Sequence, residues 1–97
     1  MKEKVIQEKI IQYLKQLPEA WYFKTHGGMY QAAGIPDIIL CYKGSFIALE
    51  IKKSGGKTTK LQEKVLRDIA KAGGTAAVVY GVEDVKRVIQ QLQTEGW

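Results

Sequence analysis

The 97 residues include one cysteine, one histidine and two prolines, and each scarcity closes a class of explanation. A lone thiol, Cys41, cannot form an intrachain disulfide, which points to a reducing, cytoplasmic, non-secreted setting. It lies in the apolar run Ile38-Ile39-Leu40-Cys41-Tyr42 and reads as a small core residue rather than a nucleophile or ligand. The one histidine, His26, stands beside Gly27-Gly28 and reads as a surface residue, not a general base. No apolar stretch approaches the ~20 residues needed to cross a bilayer, and no glycine-rich phosphate loop of the P-loop kind is present. Acidic residues are the minority charge, 10 against 15 Lys and Arg, for a net +5 that favours a polyanionic partner. There is no internal repeat and no linker, so 1–97 is expected to form one domain around a single core, supplied by a chain that is 45% hydrophobic.

Apolar spacing then sets the order of elements. Val5, Ile6, Ile10, Tyr13, Leu14 and Leu17 recur at three- and four-residue steps, an amphipathic helix that Pro18 ends. Trp21 to His26 reads as a short aromatic strand running into the Gly27-Gly28 turn, and 29–35 as loop. Ile38 to Tyr42, the turn signal Lys43-Gly44-Ser45 and Phe46 to Lys52 form a hairpin of two strands expected to be central and largely buried. After a polar loop, Gln62, Val65, Leu66, Ile69 and Gly73 share one face of a second helix closed by Gly73-Gly74. Thr75 to Tyr80 reads as a strand, and Val82, Val85, Ile89 and Leu92 as the inner stripe of a last helix. The expected fold is α/β in the order αβββαβα, with a mixed central sheet flanked by helices.

The hairpin carries the chemistry. Pro36-Asp37 precedes Glu50-Ile51-Lys52 with twelve residues between Asp37 and Glu50. Strand side chains alternate, so Glu50 and Lys52 project from one face while Ile51 points to the other. Antiparallel pairing across Lys43-Gly44-Ser45 brings Asp37, at the start of one strand, beside Glu50 at the end of the next. Two adjacent carboxylates repel unless a cation sits between them. A hard divalent ion relieves that conflict, and Mg²⁺, for which Mn²⁺ is expected to substitute, suits oxygen ligands while keeping waters and accepting phosphate oxygens. The Ile51 carbonyl is a further oxygen ligand. Lys52 is then placed to orient or deprotonate an attacking water, or to stabilise charge in the transition state. Singly, a Glu-x-Lys at a strand end is a common solvated pair and Pro-Asp a common strand opening; their coincidence at one end of a hairpin separates this chain from either.

These residues resemble the PD-(D/E)XK nuclease signature, and the αβββαβ order resembles that fold's core. The resemblance narrows to the virus-type replication-repair nuclease (VRR-NUC) branch, because Gly34-Ile35-Pro36-Asp37, Leu49-Glu50-Ile51-Lys52, Gly56-Lys57 and Thr59-x-x-Gln62 follow in that order over nearly the whole chain. It implies Asp37, Glu50, Lys52 and Gln62 as the catalytic set, with Asp37, Glu50, Ile51 and a first-helix acid on the metal. Glu3 is chosen over Glu8 because it shares the side of the helix that carries Ile6, Ile10 and Leu14, and Glu3-x-x-Ile6-Gln7 resembles the branch's opening. A first-turn Glu favourable to the helix dipole is the other explanation. Gln62 is implied to bond the metal-bound water or a site carboxylate, although Thr59-x-x-Gln62 is equally a capping box. Lys24 is implied to contact a phosphate near the cleaved bond, against a solvated surface lysine.

Around this centre, Tyr30 either stacks on a sugar or base or packs its loop. Lys53, Lys57, Lys60 and Lys64 follow the site closely and are candidates to position phosphates, the alternative being a solvated helix face. Together the residues point to a Mg²⁺-dependent DNA endonuclease. A domain this small grips few phosphates alone, so a homodimer acting on branched DNA, in particular a four-way junction of matching two-fold symmetry, is expected. The competing function is a noncatalytic nucleic-acid-binding or assembly module that retains the nuclease fold.

Overall fold

The computed structural model describes residues 1–25 and 33–95. In chain order these form α1 (Glu3–Lys15), β1 (Ala20–Lys24), β2 (Ile38–Tyr42), β3 (Ser45–Ile51), α2 (Lys60–Lys71), β4 (Thr75–Val79) and α3 (Val82–Glu95). The four strands make one mixed sheet in the order β1-β2-β3-β4, antiparallel throughout except for the parallel pair β3 and β4 that α2 connects. The expected αβββαβα order is the observed one.

The β2–β3 hairpin turns on two residues, Lys43 and Gly44, both with positive φ (49° and 85°). That two-residue geometry matches the right-handed twist of paired strands and locks their register. Ile38 pairs with Leu49 and Tyr42 with Ser45. A slip of one residue would invert every side chain, so this turn decides which face carries Glu50.

One face of the sheet holds the core. Ile38, Leu40 and Tyr42 of β2, Ile47, Leu49 and Ile51 of β3 and Val79 of β4 pack with Ile6, Ile10 and Leu14 of α1 and Val85 and Ile89 of α3. The other face carries α2, whose amphipathic helix lies on β4 and starts with a complete capping box: Thr59 Oγ1 accepts the Gln62 N–H, and Gln62 Oε1 accepts the Thr59 N–H. At its end Gly73 takes φ +100°, a left-handed exit that glycine adopts without penalty.

Because α2 covers only part of its face, the readings of Cys41 as core and of both hairpin strands as largely buried need correcting. Cys41 is exposed rather than a core residue, since alternation along β2 turns it to the α2 face, at a part of that face the helix does not cover. Trp21 (64% exposed), Phe23 and Phe46 are likewise open, so burial on both faces is confined to β3, and β1 is an edge strand. On the other face, Val5 stands 38% exposed at the margin of the α1 stripe, whose buried members are Ile6, Ile10 and Leu14. No helix among the described residues is long and apolar enough to cross a membrane.

Candidate active site

The site forms where the C-terminal end of β3 meets the start of β2. Extending the Ile38–Leu49 register by one residue sets Asp37 opposite Glu50, on the α2 face of the sheet. Asp37 is held from two directions. Its Oδ2 accepts the Ile51 N–H at 2.7 Å, and its carbonyl accepts the Thr25 N–H at 2.9 Å. Thr25 also donates its hydroxyl to the Pro36 carbonyl at 2.7 Å, so the end of β1 clamps the peptide on which Asp37 stands.

Glu50 is the buried charged residue of the described chain, 2% exposed near the C-terminal end of the interior strand β3. Its Oε2 faces Lys52 Nζ at 3.8 Å and accepts from Gln62 Nε2 at 3.4 Å. Its Oε1 is buried with no hydrogen-bond partner. Burial, then the neighbouring Asp37 carboxylate, push the Glu50 carboxyl up to about 8, with Lys52 opposing and Glu3 adding to the rise. A buried carboxylate oxygen lacking a donor costs free energy unless a proton or a cation reaches it. A divalent cation between Asp37 and Glu50 would meet that need. No three His, Cys, Asp or Glu side chains among the described residues are drawn together as a metal-holding group. A cation here would find two chain carboxylates, with the Ile51 carbonyl close by in the chain and the remaining positions left to water or phosphate, the kind of oxygen donors Mg²⁺ accepts.

The remaining candidates divide by geometry. Glu3, rather than Glu8, lies on the site side: its Oε2 accepts the Lys53 N–H at 3.4 Å, which ties the first turn of α1 to the strand exit. Gln62 serves both readings at once, since its amide oxygen completes the helix cap and its amide nitrogen reaches Glu50. Lys53, Lys57 and Lys60 are exposed, on the loop and helix start that follow Lys52. Lys64 is also exposed but pairs with Asp68 at 2.7 Å, and that bond holds the Asp68 carboxyl below its usual range. Lys24 pairs with Ile38, so strand alternation sends it to the face opposite Glu50 and Lys52, away from the cluster. Tyr30, His26 and Trp97 lie outside the described residues.

Positioning residues went unread in the sequence. Thr25 is one, and its only sequence signal is a hydroxyl at the end of an aromatic strand. Gly34, quoted there only as part of the Gly34-Ile35-Pro36-Asp37 segment, gains a structural reason: its φ is +83°, and a Cβ there would stand 2.8 Å from Leu61 Cγ and 3.2 Å from the Leu61 carbonyl oxygen. The Gly-Ile-Pro-Asp segment thus passes directly under the first turn of α2, which carries Gln62. At Gly56 a Cβ would meet the Lys53 carbonyl oxygen at 3.0 Å, in the turn closed by the Gly56 N–H to the same carbonyl.

Comparison with known proteins gives fold-level neighbours. A solved structure described as "VRR_NUC domain protein" matches with TM-score 0.75 at 26% identity, over 94% of this chain and 87% of that one. A second, "VRR_NUC domain", matches with TM-score 0.75 at 20% identity, over 91% and 94%. No sequence-family model and no curated protein sequence matches.

Proposed function

We propose, from its likeness in fold to VRR-NUC domain structures, that this chain is a VRR-NUC-type, Mg²⁺-dependent endonuclease that hydrolyses DNA phosphodiester bonds. The observation that carries this reading is the buried Glu50, with an unpartnered oxygen, set against Asp37 and beside Lys52. A divalent ion held by Asp37, Glu50 and the Ile51 carbonyl, with Mn²⁺ able to replace Mg²⁺, supplies Lewis-acid activation of phosphate and a more acidic bound water.

The chain's own groups do the rest. Asp37 is pre-set by the Ile51 N–H, so its geometry needs no reorganisation on binding. Lys52 Nζ, on the same face and mostly buried, orients the attacking water and offsets negative charge as it builds on the phosphate oxygens. Gln62, rooted in its helix cap, holds the Glu50 side chain. Lys53, Lys57 and Lys60, on the loop and helix start that follow Lys52, bind flanking phosphates without reading sequence.

We further propose that the active form is a homodimer that prefers four-way junctions. Supporting this, Trp21, Cys41 and Phe46 stand side by side in register on an open sheet face, with Phe23 packed on Trp21 at a ring separation of 5.6 Å. Aromatic residues of this kind are typical anchors of a protein interface. The experiment that tests the activity is plasmid nicking with Mg²⁺ or Mn²⁺ against EDTA. Metal-dependent nicking by the wild type, lost in Asp37→Asn, supports it; DNA binding without nicking under any metal overturns it in favour of a noncatalytic binding module.

A further inference from the structure

Beside the site, on the α1 side of the sheet end, the first turns of α1 and α3 enclose an open recess of about 450 Å³. Ile6, Tyr80 and Val82 give it mostly apolar walls, with Lys9 and Glu83 also on its lining. Its volume lies within the ~300–1,000 Å³ of small-molecule sites. Nothing in the catalytic reading above uses it.

The recess adjoins the strand exit that carries Lys52 at two points. The Val79 carbonyl, at the end of β4, accepts the Lys52 N–H at 3.0 Å, and Tyr80 follows directly. Glu3, which takes the Lys53 N–H, stands one turn before Ile6 on α1. A polynucleotide that lies across Asp37, Glu50 and Lys52 and runs on over this strand exit towards Glu3 meets the mouth of the recess.

Tyr80 is 46% exposed, large for an aromatic ring flanking a buried strand end. Its backbone is fixed, because Asp84 Oδ2 accepts the Tyr80 N–H at 2.8 Å. The acids nearby are already answered by bases of α3: Asp84 by Arg87, and Glu83 by Lys86 at 3.5 Å. Lys9 takes part in no ion pair among the described residues and is free to meet a phosphate. A flat ring on a fixed backbone, apolar walls and an uncommitted cation together suit one component of nucleic acid.

Resting on the nuclease reading, we infer that this recess receives an unstacked nucleobase next to the cleaved phosphate, with Tyr80 as its stacking platform. Every base has a π-face, so the contact selects no sequence. It selects structure. A base in intact duplex is stacked and paired and cannot enter, whereas one at a branch point or in a single strand is already free. Tyr80 is a substrate-positioning residue and has no part in the chemistry at phosphorus.

The test is a binding cycle with Ca²⁺ in place of Mg²⁺, by fluorescence anisotropy on short single-stranded and four-way junction DNAs. Each nucleotide across the site is replaced in turn by an abasic one. One base–aromatic stack corresponds to roughly ten-fold or more in affinity. Tyr80→Ala should weaken binding about ten-fold on complete DNA, and the loss should vanish when one particular nucleotide is abasic. Tyr80→Phe should bind as the wild type does. If Tyr80→Ala matches the wild type on every DNA, or weakens all the abasic DNAs as much as the complete one, the inference is overturned. Failure of the wild type to cleave any DNA with Mg²⁺ counts against the nuclease reading alone, because the binding cycle is read without cleavage.

Discussion

The Ile51 backbone N–H donates to Asp37 Oδ2 across 2.7 Å, so the two strands of the hairpin are joined at the site by a side chain as well as by their ladder. This bond fixes the Asp37 rotamer before any substrate arrives. It also explains why the carboxylate pair is stable as a geometry: Asp37 is anchored by the strand exit that carries Glu50.

Asp37→Asn should abolish metal-dependent cleavage, by at least 100-fold, and leave the far-UV circular dichroism unchanged. The amide preserves shape and can keep the Ile51 hydrogen bond through its oxygen, but it removes a ligand charge. Nicking at the wild-type rate by the purified variant would remove Asp37 from the site.

Glu50 gives a pH signature in the metal-free protein. Its carboxyl is raised from 4.5 to about 8 in the fold, so the folded chain holds a proton that the unfolded chain has lost across that window. Stability contributed by this group is therefore full below pH 4.5 and falls as the pH rises towards 8, by a few kcal/mol in all. In EDTA, the thermal midpoint of the wild type should drop roughly 10 °C more than that of Glu50→Gln between pH 5 and pH 8.5. Added Mg²⁺ should recover the wild type at high pH and leave Glu50→Gln unmoved. Parallel pH profiles for the two proteins would show that Glu50 is not held in this raised state.

Lys52→Ala should lose turnover and keep most of its Mn²⁺ affinity, because the amine acts on water and phosphate and is no metal ligand. Calorimetric titration separates the two properties. Loss of Mn²⁺ binding in this variant would contradict the role given to Lys52.

Gln62 joins helix and site, and a pair of variants resolves its two bonds. Thr59→Ala removes the cap alone and should cost about 1 kcal/mol of stability with cleavage retained. Gln62→Ala removes the cap and the Glu50 contact, so it should cost stability and lower the cleavage rate as well. Equal cleavage by the two variants would leave Gln62 as a cap and nothing more.

For the assembly, light scattering at micromolar concentration should give twice the 10.9 kDa chain mass. Trp21→Lys, which places a charge in the exposed aromatic row, should return it to the monomer. A wild-type mass near 10.9 kDa would refute the dimer, and equal cleavage of junction and linear duplex at matched salt would refute the junction preference.

Much of this molecule was legible from residue spacing. The Asp37 to Glu50 interval, a two-residue turn and strand alternation together are enough to set the two carboxylates and Lys52 on one face, because the period of a strand is two and admits no other arrangement at that register. The same periodicity yielded the element order and the inner stripes of α1 and α3. Local pattern is sufficient there, since burial of one face is what the pattern encodes.

Tertiary structure decided what depends on coverage and on approach between distant segments. Cys41 and Phe46 lie in strands whose composition reads as core, and they are exposed because α2 covers one half of its sheet face, a matter of where the crossover helix lands. Lys24 was one register step from the site, and alternation turned it away. Gly34 looks like an ordinary loop glycine until Leu61, 27 residues later, is found against it. Gln62 looks like a choice between cap and site, and the fold lets one amide serve both, its oxygen capping α2 while its nitrogen reaches Glu50. The sequence by itself determined which side chains share a face; only the packing of α2 and α1 against the sheet end decided which of them meet, because contact across long sequence separation is set by how whole elements dock and not by local spacing.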